Sequence, residues 1–245
     1  MVILFCFAHP DDESFAGAGL ACACRARGDR VVLVTATRGQ SGSAGTPPRC
    51  SREELPARRE RELRKAADLL GISDVVLLDH HDQRLGDVDP VEMRRQLVPI
   101  IRRHRPAIVL TFDPNGFNNH IDHVAISRFA FDAIAAAGDH RWCPETGPPH
   151  HVERLLWPSP LAPADAVRLP HLEAEPGVDF LLDISPWKDV KAAALRAHET
   201  QHESVETHFF QHPDADRILS IEMFRQGYGP PLESRPAGDV RVGLR

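Results

Sequence analysis

The sequence predicts an α/β fold, a Rossmann-like three-layer sandwich with a mostly parallel sheet and an irregular C-terminal part. Short apolar, β-branched runs alternate with helix-length amphipathic segments up to residue 137. The runs are apolar at nearly every position, as expected of strands covered on both faces. After residue 139 the alternation weakens, and eight prolines fall between 139 and 176.

Residues 2–8 form the first expected strand. Residues 13–27, rich in Ala and Leu, form the first helix, which stops at Gly28. Residues 30–36 read as a second strand, so this β-α-β unit predicts a parallel pair with a right-handed crossover. Residues 37–48 are a loop by their Gly, Ser and Pro content. A helix at about 52–70 carries the stripe Leu63, Ala66, Ala67 and Leu70 and ends at Gly71. A third strand at 74–78 runs into a polar loop at 79–84. Residues 90–104 are helical in pattern with Pro90 in the first turn, and Pro99 predicts a kink or an early stop. A fourth strand at 107–112 opens into the loop 113–123, and a helix follows to about Ala137. Further on, strands are expected at 152–157 and 179–184, a helix at 186–201, and a strand or short helix at 218–224. The Pro-rich stretch 139–176 is expected to be an irregular excursion or lid. The tail, about 229–245, is expected to be loosely held. These pieces fit one domain over residues 1–245 with its core at about 1–201.

Composition narrows the functional classes. With 42% hydrophobic and 26% charged residues in 245, the chain matches a soluble globular protein with a sizeable core. No apolar run approaches the ~20 residues of a membrane span, and the start lacks the basic leader of a signal peptide. A net charge of −6 argues against nucleic-acid binding, because the arginines at 58–65 are interleaved with Glu60 and Glu62. Five cysteines without a Cys-x-x-Cys pair suggest neither a disulfide framework nor a zinc ribbon, and point to a reducing, cytoplasmic setting.

Four strand exits carry polar groups: 9–13, 37–42, 79–84 and 113–123. In a parallel sheet these exits share one edge, which is where ligands bind in open α/β sheets. His9 and Asp12 at the first exit and His123 at the fourth make a His-Asp-His set. Such a set suits a catalytic zinc, which takes three protein ligands and keeps an open position. Each piece also has a plainer reading. Asp11 or Asp12 can simply cap the next helix, His-x-x-His at 120–123 recurs by chance among 14 histidines, and His80 and His81 suit an ordinary polar loop.

The same residues carry a family resemblance. Ala8-His9-Pro10-Asp11-Asp12-Glu13 resembles the first motif of the LmbE/PIG-L superfamily of zinc-dependent N-deacetylases. Thr37-Arg38-Gly39 is similar to its Thr-x-Gly loop, and Arg59, Glu62, Ala66 and Leu70-Gly71 to its long helix. His120-Ile121-Asp122-His123 is similar to its second motif, with Ile121 where Pro is usual. Lys191, Ala194, His198 and Gln201 resemble its late helix. The resemblance implies His9, Asp12 and His123 as zinc ligands, with Fe2+ as an alternative divalent ion, and Asp11 as general base. It implies His120 as the group assisting the intermediate or the leaving amine, with Asp122 orienting it; Asp122 also suits a helix N-cap. Arg59 and Asp82 become substrate contacts, although Arg59 also suits a helix-surface ion pair. The implied reaction removes an N-acetyl group from an N-acetylglucosamine-type amino sugar or glycoconjugate. Homo-oligomerisation is compatible with the resemblance. Two rival readings are a metal-dependent hydrolase of another small ester or phosphoester and a non-catalytic sugar-binding protein.

Overall fold

The computed structural model describes residues 1–159 and 177–244. Among these, seven strands form one sheet in the order β3-β2-β1-β4-β5-β7-β6. They are β1 (Val2–Phe7), β2 (Arg30–Thr37), β3 (Asp74–His80), β4 (Ile108–Leu110), β5 (Arg154–Pro158), β6 (Phe180–Asp183) and β7 (Ile221–Tyr228). Strands β1 to β5 pair in parallel, and β7 runs antiparallel to both of its neighbours. Helices cover both faces, so the expected α/β sandwich is the one the chain forms. Burial explains the unbroken apolar runs: Ile3 to Phe7 in β1 and Val31 to Val34 in β2 all lie in the core.

The predicted first helix is two: α1 (Asp12–Ala16) and α2 (Ala18–Ala26). They part at Gly17, where a Cβ would lie 2.8 Å from the Phe5 ring and 2.9 Å from Leu110. The break frees the start of α2, and Glu222 of β7 caps it, accepting the N–H of Gly19 and of Leu20 at 2.8 Å each. Helix α3 (Leu55–Leu70) ends at Gly71 in the left-handed conformation (φ 73°). Helix α4 (Pro90–His104) starts on an Asp89 cap and runs past Pro99 without stopping. Burial of Met93, Leu97, Val98 and Ile101, at about 1.5–3 kcal/mol per side chain, outweighs the ~3 kcal/mol cost of an internal proline. A kinked turn, α5 (Gly116–Asn119), precedes α6 (Ile121–Ala137). Helices α4 and α6 pack together, as do α3 and α7 (Lys188–Ala197).

The predicted helix at 186–201 is therefore shorter: α7 ends at Ala197 and a 3-10 turn, Glu199–Gln201, follows. The region at 218–224 holds both alternatives, a helix Ala215–Ser220 leading directly into β7. Within the Pro-rich stretch the expected strand is β5, whereas the excursion over 160–176 lies outside the described residues. The described tail is tied to the sheet at Ala237, Val240 and Val242. The buried Arg154 guanidinium donates to the carbonyls of Val240 and Val242, and Ala237 bonds with Leu181 and Asp179 beside β6. A buried cation needs acceptors, and the tail carbonyls supply them. Among the described residues, no helix is long and apolar enough to cross a membrane.

Candidate metal centre and active site

The exits of β1 to β4 meet at one edge because these strands are mutually parallel. His9 Nδ1 lies 3.2 Å from His123 Nε2. Asp12 closes the triangle, with Oδ1 3.4 Å from His123 Nε2 and Oδ2 3.6 Å from His9 Nδ1. An ion bound tetrahedrally at about 2.0–2.1 Å separates its ligands by about 3.3–3.4 Å; the two ring nitrogens and the His123–Asp12 Oδ1 pair are near that spacing, while Asp12 approaches His9 through its other oxygen. Among the described residues, the groups whose donor atoms all lie close enough together to share an ion are His9, His120 and His123, and His9, Asp82 and Asp122; Asp12 is in neither.

The far nitrogen of each histidine is anchored. His9 Nε2–H donates to Asp122 Oδ2 at 3.1 Å and faces Asp82 Oδ1 at 3.2 Å. His123 Nδ1–H donates to the Gly116 carbonyl at 3.2 Å. These bonds fix both tautomers with the other nitrogen turned toward the common point, the usual support of metal-bound histidine. They also argue against the His9-Asp82-Asp122 alternative, because His9 Nε2 carries a proton there. The field favours positive charge. Burial alone would lower His9, but hydrogen bonds to Asp122 and Asp82 and the nearby Asp12 raise it to about 10, so without an ion the ring holds a proton on both nitrogens and Nδ1 is the one that must release its proton to a metal.

Asp12 is held as an anion. Its Oδ2 accepts the N–H of Ala8 at 3.1 Å and of His9 at 2.8 Å. Burial would raise its pKa, but His123, His9 and these bonds bring it down to about 2. Asp11 differs from its neighbour: burial, reinforced by Asp12, outweighs the attraction of Arg59 and lifts it to about 6. Its backbone is strained (φ 129°, ψ −27°), and Glu13 Oε2 accepts its N–H at 3.0 Å.

Three sequence expectations change here. Arg59 lies neither at the surface nor open to a ligand. It is buried beneath the site, donating to Asp11 Oδ2 at 3.0 Å, to the Gly39 carbonyl at 2.9 Å and to the Pro10 carbonyl. Its guanidinium fills the space where a Gly39 Cβ would stand 2.1 Å away, so the Thr-x-Gly loop needs its glycine. Asp82 is likewise buried, spending one oxygen on His9 and the other on the Ser41 N–H at 2.9 Å. Burial would raise its pKa, yet the bonds from His9 hold it down at about 2.

Asp122 does not orient the ring of His120. Its carboxylate accepts from His9, from Gln83 N–H at 2.6 Å and from Leu85 N–H at 3.0 Å. His120 is itself the N-cap of α6, and its Nδ1 accepts the Asp122 N–H at 3.2 Å. Neutral His120 therefore carries its proton on Nε2. Burial, then repulsion from His9 and His123, keeps its pKa below the ordinary value, so the ring is uncharged near neutral pH.

Sequence reasoning missed the support behind Asp11. Glu13 and His198 are both fully buried and bonded at 2.8 Å, and Ser14 Oγ donates to the same Glu13 oxygen at 2.6 Å. The only signal was the late Lys-Ala-His-Gln pattern, which carried no partner with it. Beside the candidate metal centre lies a cavity of about 430 Å³, with Asp12 and His123 in its wall together with Phe15, Phe112, Phe209 and Met223.

The PIG-L model, described as GlcNAc-PI de-N-acetylase, matches residues 4–134, a span that contains every residue of the four strand exits. A probable N-acetyl-alpha-D-glucosaminyl L-malate deacetylase of Bacillus anthracis is 36% identical over 163 residues, covering 60% of this chain and 71% of the relative. A 1D-myo-inositol 2-acetamido-2-deoxy-alpha-D-glucopyranoside deacetylase of Streptomyces avermitilis is 30% identical over 244 residues, covering 82% and 83%. In fold, the chain is similar to the N,N'-diacetylchitobiose deacetylase of Pyrococcus horikoshii. The TM-score is 0.72 at 21% identity, over 92% of this chain and 83% of the other. On the match across its strand exits and the relatives aligned along most of its length, the chain belongs to the PIG-L family.

Proposed function

We propose that the chain is a zinc-dependent N-deacetylase that cleaves the acetamide of an N-acetylglucosamine-type amino sugar or glycoconjugate. The observation that carries this reading is the triangle of His9 Nδ1, Asp12 and His123 Nε2 beside a second carboxylate, Asp11, that is not committed to the triangle. A zinc ion held by those three residues supplies a Lewis acid for the amide carbonyl and makes a neighbouring water more acidic.

The chain's own groups do the rest. Asp11, lifted to about 6, accepts the proton of the attacking water, because a base is most useful when its pKa lies near the working pH. Arg59 fixes the direction of that carboxylate, and the Glu13 bond to its backbone N–H holds the strained turn. His120 presents its Nε2–H to the carbonyl oxygen or the departing nitrogen as charge develops. Asp122 and Asp82 keep His9 in the tautomer that leaves Nδ1 free. The names of the relatives support the sugar acetamide as substrate class.

The test is release of acetate and free amine from a panel of N-acetylglucosamine conjugates by zinc-loaded protein, before and after chelation. Asp11→Asn should keep the metal and lose at least about 100-fold in kcat. Full activity in that variant would remove Asp11 as the base. Turnover of an ester or phosphoester without acetate release from any conjugate would favour a different hydrolase.

A further inference from the structure

The cavity beside the metal centre is larger and more apolar than an acetyl group requires. It encloses about 430 Å³, and Asp12 and His123 form part of its wall, so it opens onto the reacting position. Phe112 stacks on the His123 ring, with centroids 3.8 Å apart and planes at 14°, and pairs with Phe117 at 6.4 Å. From α1 and the segment after α7, Phe15 and Phe209 add a second aromatic pair at 5.0 Å. The wall also carries Asn118, Ser204, His208 and His212; of its buried charges, Lys191 Nζ lies 2.9 Å from Glu222, whose oxygens also cap α2, and Asp12 faces His9 and His123.

Two backbone irregularities place aromatic rings in this wall. Phe117 adopts φ 60°, ψ −63°, an outlier for a bulky residue, with its N–H held by Asp113 Oδ1 at 2.6 Å. Phe209 belongs to a π-helical turn, Glu206–Phe210, a form frequent at functional sites. Strain of this kind persists where the surroundings impose it, ligand clamps among them.

We infer that this cavity is a subsite for an apolar hydrocarbon substituent of the substrate, either an N-acyl chain longer than acetyl or an apolar aglycone. The inference rests on the N-deacetylase reading for the position of the reacting amide. A cavity of this size lies in the range that houses whole small molecules, and an acetyl methyl occupies a small part of it. Each methylene moved from water into such a wall favours binding by about fourfold.

Two substrate series test this with zinc-loaded enzyme: N-acyl glucosamines from acetyl to hexanoyl, and alkyl glycosides of N-acetylglucosamine from methyl to hexyl. We expect kcat/KM to climb by about fourfold per methylene in one series, and the rising series names the source of the chain. Calorimetry of hexyl against methyl glucoside, and of hexanoate against acetate, reads the cavity even if no amide is cleaved. Flat kinetics in both series with both calorimetric pairs within about twofold of each other overturns the subsite, whether or not the acetyl sugars are cut. Tight binding of a hexyl ligand with no cleavage of any amide overturns the deacetylase reading and leaves the apolar subsite standing. Ile218→Trp, which narrows the cavity, should bring the hexyl-to-methyl ratio of the responding series toward one. An unchanged ratio there places the apolar chain elsewhere and overturns the assignment.

Discussion

Replacing Asp122 by Asn keeps the shape of the side chain and removes its charge and one acceptor. In the wild type the carboxylate takes three hydrogen bonds, from Gln83 N–H, Leu85 N–H and His9 Nε2–H, and it is fully buried. The amide oxygen of Asn can serve only one side of that arrangement, and its NH2 must face a donor on the other. Leaving a buried donor unmatched costs about 1–3 kcal/mol, which for a chain of this length lowers Tm by about 2–12 °C. On the zinc reading proposed above, the loss would reach the metal through His9, whose Nδ1 would become a weaker ligand without an anionic partner; such supporting changes weaken affinity by about 10–100-fold. Competition for zinc against a chromophoric chelator measures this directly. Wild-type zinc affinity in Asp122→Asn, with a shift only in the pH profile of kcat, would show that Asp122 acts on His120 instead and refute the assignment made from the structure.

Three further outcomes are expected. Burial pushes the thiols of Cys6 and Cys24 up to about 12 and that of Cys22 to about 11, so native protein at pH 8 should take an alkylating agent only at the half-exposed Cys50 and Cys143, as counted by mass spectrometry. Arg154→Met removes the donor that holds the carbonyls of Val240 and Val242; limited proteolysis should then clip the tail after about residue 230 at least tenfold faster, with resistance equal to wild type counting against this anchor. Burial would lower His198, but Glu13 holds it above its ordinary value. The pair therefore contributes stability in full below about pH 6.5, and that contribution fades as pH rises through the raised value. His198→Gln should be destabilised most at the acidic end of a Tm-versus-pH series, and a uniform offset across the series would contradict the linkage.

Much of the architecture was legible because it depends on local pattern. Unbroken apolar runs in β1 and β2 announced strands covered on both faces, and a parallel sheet brings its exits together whatever their distance in sequence. That reasoning placed His9 and Asp12 near His123 across more than a hundred residues. What failed was direction. Arg59, like Leu55, Leu63, Ala66 and Leu70, lies on the buried face of α3, but a guanidinium among the interleaved Arg and Glu of that helix reads as solvent-facing until Asp11 and the Gly39 carbonyl are known to lie beneath it. Asp122 sits between two histidines, and which ring its carboxylate meets depends on His120 using its own nitrogen as the helix cap. Long-range pairs such as Glu13 with His198, or Glu222 with the start of α2, leave no periodic trace.

The cavity wall has a further consequence for how this chain is organised. The groups that touch His9 come from residues 12 to 123, while much of the apolar wall comes from Phe209, Ile218, Ile221 and Met223. Reactivity and shape selection are thus inherited from different stretches of the polypeptide. Glu222, reaching from the second stretch to cap α2 in the first, joins the two together with the Phe15–Phe209 pair. Side chains at 204–218 can change size without altering any described contact of the metal centre, which gives the fold a region in which selectivity can drift while the chemistry stays put.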